Sequence, residues 1–297
     1  MTPQNKGKPS RAERTAEARE KSRKIREEQQ KKEKRNRLLV RWGVVAGIVA
    51  IIAIIAIIVM QNVRGQIADE GPTAANTNEY GGIVIGADNE VLTNDPAGNI
   101  SADDLPDEAP QPEGDGPLVP PGIEPSEEGE PVNVVLFEDF QCPICKQFEE
   151  TFGGQLQELQ NEGDITVEYR IISILDRATS TNYASRAANA AKCVADESPE
   201  NYTAYSNALF ENQPPEDGGE GLSNERLTDM AAEVGADGLG ECIDSTKFRP
   251  AVEIQTERAG MYGVSGTPTA FVDGEKWNPQ EVPSFIDFVE QKLQAKQ

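Results

Sequence analysis

One junction in this chain limits its fold more than any other feature. Val132-Asn133-Val134-Val135-Leu136-Phe137 is an apolar run of strand length, and Cys142-Pro143-Ile144-Cys145 follows almost at once. From there Ile144, Phe148, Phe152, Leu156 and Leu159 recur at helical spacing. A buried strand thus delivers two cysteines, one turn apart, to the mouth of an amphipathic helix. Gly153-Gly154 is expected to kink or loosen that helix.

This placement has a chemical use. Unsatisfied backbone N–H groups and the helix dipole at a helix start favour negative charge, and the thiolate is the attacking species in thiol–disulfide exchange. Cys142 is therefore the expected nucleophile and Cys145 the resolving thiol. Pro143, in the first turn, has no N–H to leave unpaired and fixes the backbone. Two other readings of the pair are a structural disulfide and half of a four-cysteine zinc site. A zinc site usually shows two Cys-x-x-Cys hooks, whereas Cys193 and Cys242 stand singly, so no metal is assigned. The chain has no histidine, which removes Ser-His-Asp and Cys-His catalysis and His-ligated zinc or haem.

Downstream, residues 165–175 read as a second strand, with Val167, Tyr169 and Ile171 alternating. Residues 178–262 turn helical and Ala-rich, in pieces at 181–194, 200–210, 223–234 and 246–262. Residues 268–274 then read as a strand and turn toward Trp277, and 282–293 as a closing amphipathic helix. The order is strand, Cys-pair helix, strand, helical block, strand, helix.

Phe137-Glu138-Asp139-Phe140-Gln141-Cys142-Pro143-Ile144-Cys145, with Gly263-Val264-Ser265-Gly266-Thr267-Pro268-Thr269 later, resembles the DsbA-like branch of the thioredoxin superfamily. The resemblance covers about residues 131–297 and implies an α/β thioredoxin-like fold with a helical insertion at about 178–262. It also implies that Pro268 is cis and lies beside the cysteines, with neighbouring backbone free to hold an extended peptide. Thr267 would sit against the sulfurs, and Pro143 and Ile144 would join it and Pro268 in contacting substrate. Ile144 stands where the best-known pattern has a histidine. The Cys142 pKa is accordingly expected to be lowered, but less than the ~3.5 reached in that family.

Glu138 and Asp139 precede the nucleophile closely. One reading has a carboxylate, Glu138 slightly preferred, shuttling protons to or from Cys145. The other has a strand-end acid exposed to water. Cys193 and Cys242 are expected to form a structural disulfide, since pairing either with Cys142 or Cys145 would disable the exchange site.

The N-terminal part has a different character. Residues 1–41 carry 15 Lys/Arg against 6 Asp/Glu, a net +9, whereas the remainder carries 13 against 45, a net −32. A body this acidic argues against nucleic-acid partners. Residues 42–60 contain no charged or strongly polar side chain and would span ~28 Å as a helix, enough for a bilayer core. Basic residues precede this run, so residues 1–41 are expected to be a cytoplasmic tail and the rest extracytoplasmic. A cleaved signal peptide would have a shorter apolar region of ~7–15 residues and a small-residue cleavage pattern, so an uncleaved anchor is favoured. Residues 61–130, rich in Pro and acids, are expected to be a mostly disordered linker interrupted by a short strand near 82–86, with the folded domain starting at 131.

These readings converge on a membrane-anchored, extracytoplasmic thiol–disulfide oxidoreductase acting on cysteine-containing secreted or membrane proteins. Its direction is open between oxidase, isomerase and reductase. The resemblance implies a quinone-linked membrane partner as reoxidant if it is an oxidase. No quinone, flavin or nicotinamide motif occurs, so no bound cofactor is expected. The alternative from another class is a tethered thioredoxin-like module that binds peptides without redox turnover.

Overall fold

The computed structural model describes residues 67–92, 96–112, 117–177, 182–215 and 220–296. The described residues belong to one compact unit, residues 67–297. The expected tail at 1–41 and membrane span at 42–60 lie outside the described residues. Among the described residues no helix is long and apolar enough to cross a membrane.

The strands of this unit are β1 (Glu70–Pro72), β2 (Ile83–Ile85), β3 (Asn99–Ser101), β4 (Val132–Glu138), β5 (Ile165–Ile171), β6 (Thr269–Val272) and β7 (Glu275–Lys276). Five of them form one sheet in the order β2-β5-β4-β6-β7. The β4–β5 pair is parallel, with Leu136 opposite Tyr169, and the other pairs are antiparallel. A parallel pair needs a crossover, here supplied by α1 (Pro143–Phe148), a π-helical turn at Glu149–Gly153, and α2 (Gly154–Glu162).

β4 is buried on both faces, which explains its almost unbroken apolar sequence. Val132, Val134 and Leu136 pack with Phe148, Leu156, Phe285 and Val289, joining α1, α2 and α8 (Phe285–Ala295) to one face. Val135 and Phe137 face Phe271, Ala259, Val264 and Ile123 on the other. The helical block comprises α3 (Tyr183–Glu197), α4 (Tyr202–Glu211), α5 (Asn224–Glu233), α6 (Gly240–Ser245) and α7 (Arg249–Met261). Twelve of the 15 residues of α3 are buried, so it is the axis of the block, and its alanines let neighbouring helices approach closely.

One expectation is met in altered form and one needs correction. The helix with the cysteine pair is loosened next to Gly153-Gly154, though not by the glycines' own angles. Both glycines keep right-handed helical angles, and the irregularity is a π turn that ends at Gly153. The helical block also contains α6, which its short and polar sequence concealed.

The larger correction concerns residues 61–130. Much of residues 67–105 and 119–123 is packed against the domain, whose compact unit starts at 67 rather than 131, while residues 106–112 are largely exposed. β2 extends the sheet beside β5, and β1 and β3 pair with each other, Gly71 opposite Ile100. Ile100 packs with Ala251 and Ile254 of α7. A Cβ on Gly71 would lie 2.7 Å from the Pro250 Cβ, so only glycine permits this approach.

Polar anchors complete the attachment. Asn78 Nδ2 donates to Glu168 Oε1 at 2.7 Å, and the Ala75 N–H donates to Asp196 Oδ1 at 2.7 Å. Arg170 pairs with Glu168 at 2.6 Å inside the protein and also donates to the Pro121 and Gly122 carbonyls. The strand near 82–86 was visible in the sequence, but the composition of the segment concealed the other links, because it docks elsewhere through scattered single residues (Ala74, Ile100, Ile123) that leave no periodic signal.

Candidate active site

The sheet directs β4 into the site. Its last residue, Glu138, lies opposite Ile171 of β5, and a tight turn follows. Asp139 organises that turn. Its Oδ1 accepts the Gln141 N–H at 2.8 Å, its Oδ2 accepts the Leu175 N–H at 3.0 Å, and its carbonyl accepts the Cys142 N–H at 2.9 Å. Burial raises its pKa to about 7, against the two N–H bonds that lower it.

Cys142 is the N-cap of α1, in extended conformation (φ −79°, ψ 117°), and Pro143 is the first helical residue. Its Sγ donates to the Thr267 carbonyl at 3.3 Å, across the cis Thr267–Pro268 bond from the strand β6 that follows. The Cys142 pKa is lowered to about 6. Hydrogen bonding from the Cys145 thiol contributes most, followed by the Thr267 side chain and the N–H groups of Cys145 and Ile144, and together they outweigh burial. Cys145 is inaccessible, and burial, then the Cys142 sulfur and the Glu138 charge, push its thiol far above the ordinary range. The two sulfurs are therefore unlike: one ionises near neutrality and the other holds its proton.

Thr267 and Pro268 are half-buried, and Pro143 is exposed. Ile144 is 57% exposed, the one large hydrophobic residue so displayed among the described residues. All four sit on or beside the cysteine loop.

Neither acid preceding the cysteines is a water-exposed strand end, because Glu138 and Asp139 are both fully buried. Apart from the neighbouring Glu149 carboxyl, neither Glu138 carboxylate oxygen has a hydrogen-bond partner. Burial, and next the neighbouring Glu149 carboxyl, hold Glu138 well above the usual carboxylate range. Among the described residues, no group of three or more His, Cys, Asp or Glu is arranged to hold a metal ion.

Two contributors were missed in the sequence. Gln213, just past α4, donates from Nε2 to the carbonyls of Phe140 (2.9 Å) and Cys142 (3.0 Å), clamping the cysteine loop to the helical block. No local signal marks it. Glu149 had one, since it lies four residues after Cys145 on a helix and so shares its face. Cys193 of α3 and Cys242 of α6 are bonded to each other, with Cα atoms 6.0 Å apart.

A parallel strand pair flanked by antiparallel strands, a helix-mouth dithiol and an adjacent cis-proline define a thioredoxin-like domain with a helical insertion. The chain belongs to the thioredoxin family, whose model, described as Thioredoxin, matches residues 127–291. It is 28% identical over 166 residues to the serine/threonine-protein kinase PknE of Mycobacterium tuberculosis, covering 52% of this chain but only 29% of the kinase. It is 26% identical over 166 residues to disulfide bond formation protein D of Bacillus subtilis, covering 54% of this chain and 70% of that protein. Among solved structures, oxidised Mtb DsbA aligns at 33% identity and a TM-score of 0.49, over 59% of this chain and 91% of that one.

Proposed function

We propose that this chain is a membrane-tethered, extracytoplasmic thiol–disulfide oxidoreductase that forms or exchanges disulfides in secreted and membrane proteins. The asymmetry of its cysteine pair carries this reading. A thiol with a pKa of about 6 at the helix mouth is largely thiolate at neutral pH, so it is a good nucleophile and a good leaving group. The buried Cys145 closes or opens the ring behind it. In the oxidising direction, a substrate thiolate attacks Cys142, Cys145 leaves, and a second substrate thiolate displaces Cys142 from the mixed disulfide. Glu138 supplies the proton that Cys145 needs on leaving. Ile144, Pro143, Thr267 and Pro268 form the surface on which an extended peptide lies.

The name of the Bacillus relative supports this activity. The apolar run at 42–60 and its basic flank support the tether and the outward topology. Continued oxidation then requires a membrane acceptor, for which a quinone-linked partner is the fitting class.

The deciding assay is exchange on reduced and scrambled protein substrates, comparing the native chain with Cys142→Ser. Exchange that disappears in the variant supports the enzyme. If the native protein binds peptide but never exchanges, the non-redox module is correct. Equilibrating the pair with glutathione then ranks oxidase against reductase, and protease accessibility in sealed membranes tests the topology.

A further inference from the structure

Buried polar atoms without partners gather on one side of the cysteine pair. Both carboxylate oxygens of Glu138, Oε1 of Glu149, Oη of Tyr202 and Oγ1 of Thr203 are shielded from solvent, and apart from the contact between the two carboxyls they find no hydrogen-bond partner. Native interiors leave few such atoms, and a cluster of them calls for water partners or a proton-handling role. These atoms form one neighbourhood: Glu138 and Glu149 interact directly, and Tyr169 and Tyr202 feel both carboxyls.

The neighbourhood also reaches solvent. Glu149, Tyr169 and Thr203 line an open pocket of about 290 Å³, with Lys146, Gln157 and Glu211 around its mouth. Glu149 is the first residue of the π turn between α1 and α2. Such turns insert one residue into a helix, re-aim the side chains around it, and recur at functional sites. Here the turn sets a carboxyl between the pocket and the otherwise enclosed Glu138.

We propose that Glu149 and Glu138 form a two-carboxyl relay that carries protons between solvent in this pocket and the sulfur of Cys145. It rests on the exchange reading above and adds the route by which the proton arrives. When a thiolate attacks Cys142, the Cys142–Cys145 bond breaks, a new disulfide forms on Cys142, and Cys145 leaves with the electron pair. Cys145 Sγ takes the proton of Glu138, Glu138 takes that of Glu149, and Glu149 is reprotonated from the pocket. Reoxidation runs the same path outward. The two electrons come from the attacking dithiol, so no other reductant is required. Other titratable groups face the relay: Cys142 on α1, Tyr169 on β5, Tyr202 on α4, and Lys146, Glu150 and Glu211 around the pocket.

The test uses the full chain in detergent and dithiothreitol as the dithiol, so it does not depend on turnover of protein substrates. Reduction of the oxidised pair is followed by rapid acid quench across pH, in H₂O and D₂O, for native protein, Glu149→Gln and Glu149→Ala. Glu149→Gln should be slowed roughly a hundredfold, at the low end of general acid–base effects, with an altered pH profile and solvent isotope effect. Adding formate, small enough for the pocket, should restore much of the rate to Glu149→Ala and leave the native rate unchanged. A variant with the native pH profile and isotope effect would overturn the relay, and so would a slowed Glu149→Ala that ignores formate. Failure of the native chain to exchange protein disulfides would instead overturn the functional reading.

Discussion

The molecule holds two cysteine pairs whose residues are similarly covered. Cys142 and Cys242 are each 6% exposed, and Cys145 and Cys193 are at 0%. One pair is a dithiol and the other a disulfide, and burial does not separate them. Their surroundings do. Cys142 caps a helix beside Thr267 and a loop held by Asp139 and Gln213, with two buried carboxyls close behind. Cys193 and Cys242 join two helices, 49 positions apart in sequence, inside an apolar cluster of alanines, aliphatic and aromatic residues whose far side reaches Cys142 and Cys145. Reactivity thus follows from what the sulfur ionises against, and structural value from how much chain the bond closes.

The broadest test of this contrast exchanges the two losses. Cys142→Ser should abolish disulfide exchange, read by insulin reduction, and leave the urea midpoint of the reduced protein nearly unchanged near pH 5, below the folded Cys142 pKa. Removing the other pair (Cys193→Ala with Cys242→Ala) should lower stability by about 2–4 kcal/mol, as expected for a bond closing a loop of this size. The double variant should still exchange at temperatures where it is folded. A double variant that is as stable as the native protein would undo the structural half of the contrast.

A pH series sharpens it next. The folded Cys142 pKa lies near 6 and the ordinary thiol value near 9, so between those limits the unfolded chain binds more protons. The reduced protein should therefore gain stability as pH rises from about 6 to 9 and lose it on the way down. Asp139 works in the opposite sense. Its folded value near 7 exceeds the ordinary 3.8, so its contribution is present at low pH and is lost as pH rises through about 4 to 7. Urea melts of Cys142→Ser should lack the upper limb and keep the lower one.

A smaller effect is expected at Ile144. Replacing it with histidine adds a cationic neighbour for the thiolate and should move the Cys142 midpoint below about 6. A shift of one pH unit corresponds to roughly a tenfold higher thiolate-to-thiol ratio, visible in thiolate absorbance. Ile144→His with an unmoved midpoint would show that this exposed side chain does not reach the sulfur. Smallest of all, Gln213→Ala removes two hydrogen bonds to the cysteine loop and should cost about 1 kcal/mol in denaturant melts. No comparable effect is expected on the Cys193–Cys242 bond.

Much of the site was legible in the sequence, because its parts are local. Cys142 and Cys145 are adjacent in chain and function, and β4, α1 and β6 declare themselves by apolar runs and helical spacing. Glu138 and Asp139 were visible as acids but not as buried ones, since nothing in a Glu-Asp pair tells which neighbours will cover it. Apart from its strand near 82–86, the docked segment before residue 131 was illegible for a related reason. Its prolines and acids dominate any composition count, while the contacts that hold it are single residues and backbone bonds to distant partners such as Arg170 and Asp196.

By itself the sequence determined the element order and the placement of a cysteine pair at a helix start ahead of a Thr-Pro strand, because spacing and periodicity act over a few residues. Only the tertiary structure decided that Glu149 meets Glu138 behind Cys145, that Gln213 ties the helical block to the cysteine loop, and that Arg170 and Asp196 hold the acidic segment around its strand to the domain. Those outcomes depend on burial and on partners brought together from far along the chain, which no local pattern encodes.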